Sequence, residues 1–312
     1  MKKEDLKIVF FGTPDFAVES LDAVYRDGYD VAAVVTMPDK VGGRGHKIIQ
    51  SPVKTWALDH DIPVLQPEKL KNEDFLAELK AIGANLFIVI AFRMLPEAVW
   101  AMPPLGTFNL HGSLLPDYRG AAPINWAIIN GEKKTGVTTF FLQHEIDTGD
   151  IICRGEVEIG DDEDVESLHD RLMRLGAEVT LQTLRQIVDG TVSPVPQADL
   201  GGCSKPAPKI FHETCFIDWS KTASEVKNFV RGLSPYPAAR ATLQFPRTDK
   251  AEYKIFKVAP SSDNHGLQPG ELKVVEGKIL VGCAGGAVEI LSLQAQGKRR
   301  MDARDFLNGL RL

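Results

Sequence analysis

The chain has no apolar run long enough to cross a bilayer. Its longest, Asn85 to Phe92 and Val31 to Val35, fall far short of the roughly 20 residues a spanning helix needs. Cysteine is scarce and poorly spaced for a metal. Cys153, Cys203, Cys215 and Cys283 lie 50, 12 and 68 residues apart, with no C-x-x-C and no His pair at zinc-finger spacing, so no metal site and no disulfide framework is expected. The opening MKKEDLKIVF puts acidic residues where a secretory signal keeps a basic start, and no small-residue cleavage site follows, so a cytoplasmic protein is expected. Glycine is missing where a dinucleotide fold requires it, because the turn after KIVFF offers Gly12 alone in place of G-x-G-x-x-G. The phosphate-loop pattern G-x-x-x-x-G-K-[ST] is absent as well.

What is present is a globular composition. The 312 residues are 44% hydrophobic and 25% charged, enough for one large domain or two unequal ones. From Leu6 to about Thr148 short apolar runs, KIVFF, VAAVV, LFIVIAF and TFNLH, alternate with helical patterns, which predicts a mostly parallel, Rossmann-like sheet covered on both faces. Thr13 is placed to cap a first helix with Pro14 at its first position, and Phe16, Ala17, Leu21 and Val24 follow at helical spacing. Val165 to Val188 reads as one amphipathic packing helix. The stretch 191–208, with prolines at 194, 196, 206 and 208, is the expected linker between a domain 1–190 and a domain 209–312. Beyond it, a helix capped at Ser220 or Thr222 precedes ARATLQF, EYKIFKV, GELKVV, KILVGC and AVEILSL. Five short strands with Gly, Pro and Asn between them predict a small antiparallel β-barrel of the oligonucleotide-binding (OB-like) type, for which a dimerisation or lid domain is the plain alternative.

The formal charge of −6 conceals an asymmetry: residues 1–208 carry −11 and residues 209–312 carry +5. Such a split points toward a polyanion, though a modest basic excess is also an ordinary solvated surface. The 16-residue stretch Met37 to Pro52 is long for a connection between strand and helix. It holds Gly42, Gly43 and Gly45 and carries Lys40, Arg44 and Lys47, with Lys54 just beyond, so it reads as a basic loop able to close on an anion.

The densest chemistry lies between Asn109 and Asp150. Asn109 and His111 flank Leu110 at the end of a strand, so period-two alternation points both to one face of the sheet edge. Ligands of open α/β sheets bind beyond the carboxyl ends of the strands. An amide and an imidazole placed there can polarise a carbonyl and stabilise the oxyanion formed when it is attacked. Asp147, in the turn I-D-T-G-D, can bind the imidazole and relay a proton. No G-x-S-x-G elbow and no cysteine neighbours His111, which favours direct transfer to an external nucleophile over a covalent acyl-enzyme.

With GTPDFA, MPDKVGGRGHKIIQSPVK, NLHGSLLPDYRGAAPINWAI, IDTGD, FIDWS and GLSPYPAA, the chain resembles, over essentially its whole length, the folate-dependent formyltransferases, and within them the members that formylate methionyl-tRNA. The resemblance implies an enzyme with a nucleotide-fold first domain and an OB-like second one. It assigns Asn109, His111 and Asp147 to the catalytic triad, Ser113, Leu114, Leu115 and Pro116 to the folate-contacting loop, and Arg44 to a loop that reaches the tRNA acceptor stem. It further implies 10-formyltetrahydrofolate as formyl donor, no metal, initiator methionyl-tRNA as partner, no membrane and a monomer. The chain departs from the family at Ala91 to Pro96, where Ala-Tyr-Gly before Leu-Pro is common, so contact with the pterin there is open.

Overall fold

The computed structural model describes residues 1–42, 47–201, 205–261 and 266–310. The chain divides into two units, one of Met1–Gly120, Gly136–Val157 and His169–Pro206, the other of Ala121–Thr135, Glu158–Leu168 and Ala207–Leu312.

Ile8 to Phe11 are apolar at every position because their strand is covered on both faces, the signature of a parallel sheet. In chain order there follow β1 (Lys7–Gly12), α1 (Asp15–Arg26), β2 (Asp30–Val35), a hairpin of β3 (Lys40–Gly42) and β4 (Lys47–Ile49), α2 (Pro52–Asp59), β5 (Val64–Leu65), α3 (Glu73–Ala81), β6 (Leu86–Ile90), α4 (Glu97–Trp100), β7 (Thr107–His111) and β8 (Arg119–Gly120). Then come α5 (Pro123–Ile129), β9 (Lys134–Phe141), β10 (Ile151–Glu158), α6 (Val165–Asp189) and β11 (Pro206–Ala207). One sheet takes the order β10-β9-β7-β6-β1-β2-β5, parallel from β7 to β5 and antiparallel where β9 meets β7. Val9, Phe11, Val35, Phe87 and Val89 turn one face toward Phe75 and Leu79 of α3 and Val99 of α4. The opposite face holds Leu110, close enough to Gly176 of α6 that a Cβ on that glycine would lie 2.7 Å from the Leu110 side chain.

The first helix differs from its sequence reading. Pro14 is extended (φ −82°, ψ 176°) and itself occupies the N-cap, so the helix starts at Asp15 and Thr13 does not cap it. The Thr13 hydroxyl is buried with no hydrogen-bond partner among the described residues. The stripe Phe16, Ala17, Leu21 and Val24 is buried as expected. Gly12 lets α1 approach β1, since a Cβ there would sit 2.7 Å from that of Ala17. Among its described residues, the stretch expected as a linker is mostly exposed but is fastened at points. Val195 bridges Ile151, Gln197 to Leu200 form a short 3-10 turn, and residues up to Pro206 belong to the first unit.

The second unit contains α7 (Ala223–Leu233), β12 (Ala239–Leu243), β13 (Ala251–Ser261), β14 (Leu272–Val275), β15 (Lys278–Cys283), β16 (Gly286–Ala295), β17 (Met301–Asp302) and α8 (Ala303–Gly309). The five expected strands are β12 to β16. They form an antiparallel sheet in the order β12-β13-β16-β15-β14, with β17 on β16. Register shifts at Ile255 to Val258 kink β13, the longest strand, as bulges do. Ile255, Ile279, Val281, Val288, Ile290 and Leu293 share a core with Val226 and Val230 of α7 and Phe306 of α8. The same unit includes α5, where a Cβ at Gly232 would lie 2.7 Å from the Ile129 side chain. It also includes 158–168, whose Gly160 and Glu163 carbonyls accept hydrogen bonds from the buried Arg231 at 2.9 and 2.8 Å.

Of the two expected caps for α7, Thr222 is the one used. Its hydroxyl accepts from the Glu225 N–H at 3.3 Å, and the Glu225 carboxylate accepts from the Thr222 N–H at 2.9 Å, a reciprocal capping box. Thr222→Ala should therefore lower the stability of the second unit by about 1 kcal/mol, read as a fall in its urea midpoint. Thr222→Ser, which keeps the hydroxyl, should leave the midpoint nearly in place; an unchanged midpoint for Thr222→Ala would show that the cap contributes nothing.

Candidate active site

Asn109 lies opposite Val89 of β6 and Phe140 of β9, and His111 lies opposite Thr138. In-register neighbours share a face, so Asn109 and His111 emerge together at the carboxyl end of β7, on the side away from Leu110 and α6. His111 is buried and Asn109 half-buried. Among the described residues the Asn109 side-chain amide makes no hydrogen bond, so its donors and acceptor stay available to a ligand.

The chain leaves β7 into a tightly hydrogen-bonded loop. The Thr138 hydroxyl donates to the Ser113 carbonyl at 2.6 Å and accepts the Leu115 N–H at 3.1 Å. The Ser113 hydroxyl donates to the Asp117 carbonyl at 2.7 Å. Ser113 and Leu115 are fully buried, Leu115 against Phe140 and Ile151, so these two side chains hold the loop, while Leu114 and Pro116 remain partly exposed. The loop then turns through Tyr118, whose φ of +63° belongs to the left-handed region that a bulky side chain rarely adopts.

That turn aims the Tyr118 carbonyl at His111, with Nε2 to oxygen 2.9 Å. A carbonyl only accepts, so Nε2 carries a proton and in the neutral ring Nδ1 holds the lone pair. Nδ1 faces the Asp147 carboxylate, with Oδ2 3.8 Å away, beyond direct hydrogen-bond reach. The same Oδ2 accepts the Gly120 N–H at 3.1 Å.

Asp147 has a φ of +56°, a conformation that aspartate tolerates better than most residues, and its turn is tied down behind it. Gln197 donates through Nε2 to the Asp147 carbonyl at 2.8 Å and to the Gly149 carbonyl at 2.9 Å. Its Oε1 accepts from Arg119 Nε at 3.1 Å and Nη2 at 2.6 Å. At Gly149 any Cβ would lie 1.6 Å from the Phe141 carbonyl oxygen, so the neck of this loop admits only glycine.

The structure thus brings Asn109, His111 and Asp147 to one place and sets Ser113 to Pro116 in the loop beside them. Sequence reasoning missed the Tyr118 carbonyl and the Gly120 N–H, because backbone groups leave no mark in residue type. It missed Gln197 because that residue lies in a proline-rich stretch without periodicity. Arg44 lies outside the described residues. Lys54, read with the basic loop, is committed elsewhere: its ammonium bonds Asp39 at 2.6 Å and Gln66 at 2.8 Å, and its hydrogen bond to Asp39 holds that carboxyl below the usual carboxylate range, helped by Gln66. In the departing segment, Phe92 packs edge-on against Phe11. Arg93 folds back onto the Pro67 and Glu68 carbonyls, reaching the latter at 2.8 Å. Among the described residues, no group of three or more His, Cys, Asp or Glu could hold a metal ion, and no helix is long and apolar enough to cross a membrane.

Residues 6–184 match the profile of the formyl transferase family, and residues 209–311 that of the formyl transferase C-terminal domain. The chain is 54% identical over 316 residues to a methionyl-tRNA formyltransferase of Bacteroides fragilis, spanning 100% of this chain and 97% of the relative. It is 50% identical over 307 residues to one from Flavobacterium johnsoniae, spanning 98% and 97%. In fold it is similar to HypX from Aquifex aeolicus in complex with tetrahydrofolic acid, with a TM-score of 0.65, 19% identity, and coverage of 97% of this chain and 47% of that one. It is likewise similar to WlaRD, a sugar 3N-formyl transferase, with a TM-score of 0.65, 20% identity, and coverage of 94% and 99%. On the match of both domains and on full-length identity to curated relatives, the chain belongs to the formyl transferase family.

Proposed function

We propose that this chain, acting in the cytoplasm as a monomer, transfers the formyl group of 10-formyltetrahydrofolate to the α-amine of methionyl initiator tRNA. The observation that carries the chemistry is the unpartnered Asn109 amide beside a histidine whose only free nitrogen faces a carboxylate. The choice of acceptor rests on relatives of that name that match the whole chain at 50% identity and above.

The neutral amine attacks the formyl carbon, and the carbonyl oxygen becomes an oxyanion. Asn109 donates to it through its amide. His111 can donate only through Nδ1, since its Nε2–H is held by the Tyr118 carbonyl, and therefore acts there as an imidazolium balanced by Asp147. Collapse of the tetrahedral intermediate breaks the bond to folate N10. The proton shed by the attacking nitrogen reaches N10 through the His111 Nδ1 and Asp147 pair, so the products are the N-formyl amine and the protonated folate nitrogen. Ser113 and Leu115 support the folate loop from within, and Leu114, Pro116 and the loop backbone are the parts a pterin can meet. Arg44 is assigned to the tRNA acceptor end.

The basic excess after residue 208 is offset by acidic residues from elsewhere in the chain. The acidic run Asp161 to Asp164 belongs to the second unit, where Lys133 pairs with Asp161 and Lys227 with Asp162 at 2.7 and 2.6 Å. Counted over all its segments, the second unit is formally neutral, so the basic excess after residue 208 is a local feature of that sequence rather than a charge of the unit.

Incubation with 10-formyltetrahydrofolate and either charged initiator tRNA or a free amino sugar nucleotide tests the reading directly, and only the tRNA should be formylated. Asn109→Ala and His111→Ala should each lower kcat at least about 10²-fold with little change in KM for folate; more than about a third of wild-type rate in His111→Ala would overturn the assignment. In ¹⁵N NMR the neutral His111 ring should be the Nε2–H tautomer, and an Nδ1–H tautomer would remove Nδ1 as the working nitrogen. Affinity of the intact chain for tRNA should fall steeply as salt rises, since phosphate contacts release counterions; salt-independent binding would discard a phosphate-reading surface.

A further inference from the structure

We infer that Gln197 is a positioning residue for the transfer, holding Asp147 at its working distance from His111; this rests on the catalytic reading given above. Gln197 is 4% exposed, and both ends of its amide are used. Its NH₂ meets two carbonyls, which only accept, and its oxygen meets a guanidinium, which only donates, so the amide has one possible orientation. The residues it joins are the ones the site is made of. Arg119 sits between Tyr118, whose carbonyl fixes the His111 ring, and Gly120, whose N–H fixes the Asp147 carboxylate. The two carbonyls belong to Asp147 itself and to Gly149 at the neck of its turn. Gln197 is thus the strut between the loop that orients the histidine and the turn that presents the carboxylate.

Among the described residues, the turn has few other ties beyond the backbone bond at its base, from the Phe141 N–H to the Asp150 carbonyl at 3.1 Å. Its other side-chain bonds are Thr148 to the Glu145 carbonyl at 3.1 Å and the Asp147 carboxylate to the Gly120 N–H, and neighbouring Ile146 is largely exposed. The Asp147 carboxylate stays 3.8 Å from Nδ1 only while its turn is held in place. Small displacements of a positioned group carry large kinetic penalties.

The test uses the full chain with 10-formyltetrahydrofolate and charged initiator tRNA, comparing Gln197→Met, Gln197→Glu, Asp147→Asn and the double variant Gln197→Met with Asp147→Asn. Gln197→Glu keeps a partner for Arg119 but turns a carboxylate oxygen toward the two carbonyls, so it separates the loss of the turn from the loss of the arginine. Both Gln197 variants should lose at least about 10-fold in single-turnover rate, with KM for folate and tRNA nearly unchanged. In the double variant the Gln197 change should cost almost nothing beyond Asp147→Asn, because it acts through that residue.

A wild-type rate in Gln197→Met, or the same fold-loss with and without Asp147→Asn, would overturn the inference while leaving the catalytic reading intact. An Asp147→Asn chain at wild-type rate would overturn both. If Gln197→Met fails to fold, Gln197→Glu and its own double variant with Asp147→Asn decide the same question.

Discussion

The hydrogen bond from His111 Nε2 to the Tyr118 carbonyl orders the site. It settles which imidazole nitrogen is committed to the protein and which is left for chemistry, and it does so with a backbone group that cannot change its role. The cost is a bulky residue at φ +63°, a strained position that persists only where its surroundings over-determine it. Here the surroundings do so: the Tyr118 ring is buried, its N–H donates to the Lys205 carbonyl at 2.6 Å, and the Asp117 carboxylate takes the Lys205 N–H at 3.2 Å. The segment 205–206 therefore acts on His111 at one remove, by holding the turn from which the carbonyl is aimed.

The parts of this arrangement that were legible in the sequence are those with a side-chain periodicity or a chemical type. N-x-H at a strand end put Asn109 and His111 on one face, and the register with Val89 and Thr138 shows why: neighbouring strands impose the same alternation. The five expected strands were legible as short apolar or β-branched runs between turn residues rather than by strict alternation: β12 alternates buried and open positions, whereas Ile279 to Cys283 of β15 are buried throughout. Thr13 misled because a hydroxyl before a proline looks like a cap, whereas the extended Pro14 takes that place. Lys54 misled because its positive charge was counted without its partners, Asp39 and Gln66. The stretch 191–208 looked like a linker because prolines suppress periodicity, and a segment can lack periodicity and still be fastened, as this one is by the buried Gln197 amide.

Chain order also proved a poor guide to compactness. Segments 121–135 and 158–168 lie among first-unit residues in sequence but belong to the second unit, held there by the approach of Gly232 to Ile129 and by Arg231 on the Gly160 and Glu163 carbonyls. Desolvation by burial depresses the Arg231 proton affinity, with Asp161, Asp162 and Glu163 acting against it, so the acidic run serves as counter-charge within its own unit. An electrostatic reading cut at residue 208 separates these charges from the cation they balance.

Almost every polar group around the site is already spent on the protein: Thr138 on Ser113 and Leu115, Ser113 on Asp117, Gln197 on Asp147, Gly149 and Arg119, and Gly120 on Asp147. Groups so engaged cannot reorganise during a reaction, which is the condition for electrostatic stabilisation without a reorganisation cost. The two groups left over are the Asn109 amide and His111 Nδ1, and a developing oxyanion needs just such a pair of donors once the ring is protonated. In the proposed transfer, preference for a transition state over a ground-state carbonyl would follow from charge. The Asn109 amide and an Nδ1–H donor on His111 would bind an oxyanion more strongly than a neutral formyl oxygen, and the loops behind them are fixed by their hydrogen bonds, leaving that difference to appear in rate rather than in rearrangement.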